Sequence, residues 1–283
     1  MKICRFEGER LGVVEDGEVL DVTGFLDRLP AHRWHFPLAD PVIERLEALG
    51  ELVSRERASL PRRRLSETAL DAPVPRPGKI IGAPVNYHAH LEEARADRAL
   101  HQGAKVHPID EIGLFLKAGS ALAGPGATVA LCRPDRRSDH EAEVVVVIGR
   151  EGRDIEPEQA LGHVAGYSLG LDLSVRGRED RAMRKSPDGY AVLGPWLVTA
   201  DEVADPGTIT FSLTVGGETR QAGSTAALIR SVPELVAMAS SFYTLHPGDL
   251  IYTGTPEGVA ALAPGDQLRL ESPELGVLEV AIA

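Results

Sequence analysis

Glu141 and Glu143 lead into an unbroken apolar run, Val144-Val-Val-Val-Ile148, closed by Gly149. Such a run reads as a strand buried on both faces. Alternation then sends both glutamates to one face, about 6–7 Å apart. Two like charges beside a core are costly unless something neutralises them, and a divalent cation does so with oxygen ligands. The alternative is a strand that emerges from solvent with both carboxylates hydrated. Asp172 ends a second strand, Gly166-Tyr-Ser-Leu-Gly-Leu-Asp172, with a core stripe of Tyr167, Leu169 and Leu171. Its other face carries Gly166, Ser168 and Gly170 and is nearly bare, which marks close approach of a ligand or another backbone. Asp172 offers that site a third hard oxygen.

Further groups could act beside such a cation. His90 and Glu93, three apart, share a helix face, so the carboxylate can orient the imidazole as a water-activating base. Lys185 could stabilise an enolate or hold a carboxylate, and Arg176, four residues after Asp172, carries a fork suited to carboxylates. Thr255 lies in Thr253-Gly-Thr-Pro-Glu-Gly258, a loop rich in hydroxyls and N–H groups and suited to an anion.

The elements that must position these residues are mostly strands. Asp16-Gly17 signals a hairpin between Leu11–Val14 and Val19–Val22, and helical periodicity follows over 40–60. Asp71-Ala-Pro-Val-Pro-Arg-Pro-Gly78 is a stiff connector. Residues 1–70 therefore read as a small β-rich N-terminal module and 71–283 as the main domain. Helices are expected at 86–100, 156–162 and 231–243. Strands outnumber them without strict βα alternation, which gives an α+β body built on mixed sheet.

Composition narrows the partners. In 283 residues the formal net charge is −12, which argues against nucleic acid or an anionic membrane surface as a partner. No apolar run approaches a membrane span, and Cys4 and Cys132 make no disulfide framework or metal pair. A cytoplasmic location is the expectation.

Taken in order, the motifs resemble those of the fumarylacetoacetate hydrolase family. They are Asn-Tyr-x-x-His-x-x-Glu from Asn86, Phe115-Leu-Lys, Glu141-x-Glu-x-Val-Val-Val-Ile-Gly, Gly166-Tyr-x-x-x-x-Asp-x-x-x-Arg, Lys185-Ser and Thr253-Gly-Thr-Pro-x-Gly-Val. The match runs from about residue 79 to the C-terminus. The resemblance implies a mixed β-sandwich roll, a homodimer, and Mg²⁺ or Mn²⁺ held by Glu141, Glu143 and Asp172. It implies catalytic roles for His90, Glu93 and Lys185, and substrate contacts from Tyr87, Arg176, Glu179 and Thr255. The implied reaction is hydrolysis of a C–C bond in a 2,4-dioxo acid of the acylpyruvate type. Decarboxylation or keto–enol isomerisation of a 2-oxo diacid is the alternative, and a non-catalytic binding protein on the same fold is a third reading. The chain departs from the family pattern at Gly177, Glu179 and Pro187 and is longer between Glu93 and Phe115. Residues 94–112 are accordingly expected to form a lid that sets substrate preference.

Overall fold

The computed structural model describes residues 1–31, 37–97 and 105–283. Before the connector lie β1 (Lys2–Phe6), β2 (Arg10–Glu15), β3 (Glu18–Asp21), α1 (Leu46–Glu56) and β4 (Arg62–Arg64). After it come β5 (Ile80–Gly82), α2 (His88–Ala96), β6 (Phe115–Lys117), β7 (Ala142–Ile148), β8 (Val164–Asp172) and β9 (Ala191–Thr199). The last third supplies β10 (Thr210–Val215), β11 (Glu218–Ser224), α3 (Val232–Phe242), β12 (Leu250–Tyr252), β13 (Gln267–Ser272) and β14 (Gly276–Ile282).

One large sheet runs β4-β3-β2-β1-β9-β8-β7-β12-β5-β6. Its pairings along this path are antiparallel except β12 with β5, which is parallel. A second sheet, β11-β10-β13-β14 with Thr128–Val129 at its edge, packs on one face of the first. This is the α+β, mixed-sheet architecture expected from the sequence. Residues 1–70 share the large sheet, because β1 pairs with β9.

The apolar run behaves as its pattern requires. Val144, Val146 and Ile148 face a core shared with Leu213, Leu270 and α3. Val145 and Val147 face another, shared with Leu49 and Leu52 of α1. The first hairpin turns at Asp16 and Gly17, which take φ of 49° and 76°, as a two-residue turn with both centres left-handed requires. At α3, Ser231 and Glu234 form a reciprocal capping box.

Two helical expectations change. Residues Pro157–His163, expected as a helix over 156–162, form a 3₁₀ segment, where Gly162 disfavours α-helix. Helix α2 covers only His88–Ala96 of the expected 86–100, and 98–104 lie outside the described residues.

The bare face of β8 has a structural cause. A Cβ at Gly166 would lie 2.0 Å from the Val198 carbonyl oxygen, and one at Gly170 would lie 2.5 Å from a Val145 methyl and 2.7 Å from the Tyr252 ring. Neighbouring strands and side chains, rather than a ligand, make the close approach.

Candidate active site

Register brings the carboxylates together. Glu143 on β7 pairs with Gly170 on β8, and the Asp172 N–H donates to the Glu141 carbonyl at 2.9 Å. One ligand oxygen from each of Glu141, Glu143 and Asp172 lies within 4.8 Å of the others, and all three side chains are buried. Cations hold two of them. Lys185 Nζ donates to Glu141 Oε2 at 2.6 Å, to Asp172 Oδ2 at 2.7 Å and to Ser174 Oγ at 2.6 Å. Lys117 Nζ donates to Asp172 and, at 2.7 Å, to the Tyr190 carbonyl. Arg176 spans Asp139 Oδ2 at 2.6 Å and Glu141 Oε1 at 2.9 Å.

These contacts divide the carboxyls electrostatically. Burial pushes Glu141 up, but Lys185 and Arg176 outweigh it and hold the group far below the usual carboxylate range. Burial and then Asp172 push Glu143 well above that range. Among the described residues Glu143 makes no ion pair; it accepts the Gly254 N–H at 2.6 Å. A buried carboxylate facing two others without a cation of its own is what a divalent-ion site presents. The donor set fits Mg²⁺ or Mn²⁺: three hard oxygens and no sulfur.

His90 lines the same cavity as the three carboxylates. Its Nδ1 lies 2.9 Å from Glu93 Oε2, and Glu93 Oε1 accepts the Gly258 N–H at 2.8 Å. An ionised carboxylate only accepts, so Nδ1 carries the proton and Nε2 is left as the basic nitrogen. Thr255 also faces the cavity, and Gln221 Nε2 donates to its Oγ1 at 2.8 Å. The Gln221 orientation is fixed because its Oε1 accepts the Ala142 N–H at 3.0 Å and bonds His140 Nδ1 at 2.9 Å. With its oxygen already accepting, Thr255 can turn its own proton into the cavity.

The model for the fumarylacetoacetate (FAA) hydrolase C-terminal family matches residues 79–283. The chain belongs to the fumarylacetoacetate hydrolase family. It is 51% identical to maleylpyruvate hydrolase of Aquipseudomonas alcaligenes, across 100% of this chain and 99% of that one. Oxaloacetate tautomerase FAHD2A, mitochondrial, of Bos taurus is 35% identical, over 98% of this chain and 90% of its own. Among solved structures, maleylpyruvate hydrolase from Sphingobium sp. SYK-6, in complex with manganese(II) ion and pyruvate, superposes with a TM-score of 0.84. That match has 37% identity and covers 100% of this chain and 99% of that one.

Within this member of the family, the residues singled out from sequence are not all brought together. Glu141, Glu143, Asp172, His90, Lys185, Arg176 and Thr255 line one cavity, and Glu93 stands behind His90. Tyr87 does not line it. Its ring is buried, and its hydroxyl has no hydrogen-bond partner among the described residues. Glu179 is exposed and bidentate with Arg136 at 2.8–2.9 Å, which holds its carboxyl down at about 2. The N–H groups of the 253–258 loop, which suit an anion, take the chain's own: Gly254 binds Glu143 and Gly258 binds Glu93. Of the expected lid, 98–104 lie outside the described residues. Val106 packs on Ala94 and Val259, and Lys105 and His107 line the cavity. Sequence reading gave no site role to Lys117, Gln221, Arg181 or Arg184. For Lys117 the scarcity of lysine in this arginine-rich chain was a usable signal; the others lack one.

Proposed function

We propose that this chain is a divalent-cation-dependent hydrolase that splits the C–C bond of a 2,4-dioxo acid into pyruvate and a carboxylic acid. The supporting observation is the oriented His90–Glu93 pair facing three convergent carboxylates in one cavity. The relative at 51% identity is a maleylpyruvate hydrolase, and a maleylpyruvate-like acylpyruvate is the substrate class we assign.

His90 Nε2 takes a proton from water as that water adds to the C4 carbonyl. Collapse of the adduct breaks the C3–C4 bond, its electron pair passes to C3, and the distal fragment leaves as a carboxylic acid. Protonation at C3 completes pyruvate. A cation held by Glu141, Glu143 and Asp172 supplies Lewis acidity toward the 2-oxo-carboxylate. Lys185 adds positive charge where the enolate forms, while Lys117 and Arg176 hold Asp172 and Glu141 in place. Thr255 donates to a substrate oxygen. Release of pyruvate from a panel of 2,4-dioxo acids, with Mn²⁺ or Mg²⁺ added, tests the assignment; cleavage at full rate by His90→Ala would defeat the mechanism.

A second reading, keto–enol tautomerisation of a 2-oxo diacid, draws on the 35% identity to an oxaloacetate tautomerase. It needs the cation but no attacking water, so His90→Ala would separate the two reactions. We further assign residues 1–70 to an accessory module, the active form to a homodimer and its place to the cytoplasm. Light scattering after gel filtration checks the dimer.

A further inference from the structure

Arg181 and Arg184 line the cavity, yet among the described residues neither forms an ion pair with a carboxylate. Arg184 Nε donates to the Glu179 carbonyl at 2.9 Å. The Arg181 guanidinium lies 5.8 Å from the Phe115 ring centroid, and the Lys185 ammonium lies 5.5 Å from the same centroid. Lys185 is held on Glu141 and Asp172. One aromatic ring therefore lies close to both Arg181 and the Lys185 of the carboxylate cluster.

The charge balance is lopsided. Lys105, Arg176, Arg181, Arg184 and Lys185 line the cavity against three carboxylates, Glu141, Glu143 and Asp172. A divalent cation widens this positive excess. In a chain with a net charge of −12, such an accumulation is local and unexplained by composition. A substrate with one carboxylate leaves most of it unneutralised, whereas a substrate with a carboxylate at each end does not. Burial also works against both guanidinium charges, which an incoming carboxylate would relieve through charge-assisted, forked hydrogen bonds.

The geometry points to Arg181 and Arg184 as the receptor for the distal carboxylate of the substrate, so that the enzyme selects 2,4-dioxo diacids over monoacids of equal length. For the near end of the substrate this rests on the hydrolase reading above. Arg181 and Arg184 are specificity-determining groups, and they take no part in breaking the bond.

Calorimetry of Mn²⁺-loaded protein with 2-oxoadipate and with 2-oxohexanoate isolates the distal carboxylate without needing turnover. The diacid should bind about 10- to 100-fold more tightly, the range expected of one or two charged hydrogen bonds. In the Arg181→Gln/Arg184→Gln double variant that ratio should fall below about threefold, and Arg181→Lys should fall between. Equal binding of both acids by the wild-type protein overturns the receptor while the cation-chelating site stands. So does a preference that survives the double variant. Binding of neither acid overturns the chelating site and the receptor built on it. Should the double variant misfold by circular dichroism, the wild-type ratio and the Arg181→Lys ratio still decide.

Discussion

Glu143 is the carboxylate that the fold leaves without a cation, and its stability cost and its function are opposed. Without metal, Glu143→Gln removes a buried acid whose ionisation burial, Asp172 and Glu141 oppose, so the variant should melt about 2–4 °C higher for each kcal/mol relieved. With Mn²⁺ the order should reverse, because the wild type gains binding energy that the variant loses. Thermal melts with and without Mn²⁺ check both signs; a variant that gained as much from Mn²⁺ as the wild type would remove Glu143 from the ligand set. Gln221 gives a second prediction. Gln221→Leu strands the buried Ala142 N–H and should cost about 1–3 kcal/mol in urea unfolding. It also frees Thr255 Oγ1, so KM should rise more than kcat falls. At this scale the metal carboxylates are legible in sequence because an apolar run dictates which face they share. Arg181 and Arg184 are not, since a charge run looks the same whether it meets water or a cavity. Glu179 misleads for the same reason: its partner, Arg136, lies 43 residues away in sequence.

The loop after β12 couples the two halves of the chemistry. Its Gly254 N–H holds Glu143, its Thr255 faces the cavity and its Gly258 N–H holds Glu93. Gly258 has φ +90°, and a Cβ there would lie 2.1 Å from the Arg220 carbonyl oxygen. Gly258→Ala should therefore cost about 1–3 kcal/mol of stability, yet reduce kcat/KM by about 100-fold through misplacing His90. Steady-state kinetics beside denaturant melts would show whether activity suffers out of proportion. Strand β1 carries the pH prediction. Burial pushes the Cys4 thiol from 9.0 up to about 12. The unfolded chain loses that proton first, so between these values it binds fewer protons than the folded one, and stability falls as pH rises. Below pH 9.0 the contribution is fully present. Cys4→Ala should flatten the alkaline decline in Tm; an identical decline in both proteins would exclude Cys4 as its source. Elements such as β7 and the first hairpin are legible because alternation and turn chemistry agree locally. Edge strand β6 is not, because three residues carry too little periodicity to announce a strand.

At the scale of the molecule, the strands of residues 1–70 and those of the catalytic body form one sheet through β1 and β9. Composition and motif order foretell the fold class, but not this continuity, which depends on a pairing between residues nearly 200 positions apart. The sheet's path starts at β4 and ends at β6, beside the cavity. At the β4 end, Arg62, Arg63 and Arg64 stand in succession, paired with Glu18, Glu7 and Glu67. Edge strands invite another chain to add its own strand, and a dense row of charge discourages it. This row therefore bears on colloidal behaviour rather than on catalysis. Arg62→Val/Arg64→Val should release pyruvate normally in dilute solution, yet scatter light increasingly as the protein is concentrated, through sheets joining edge to edge.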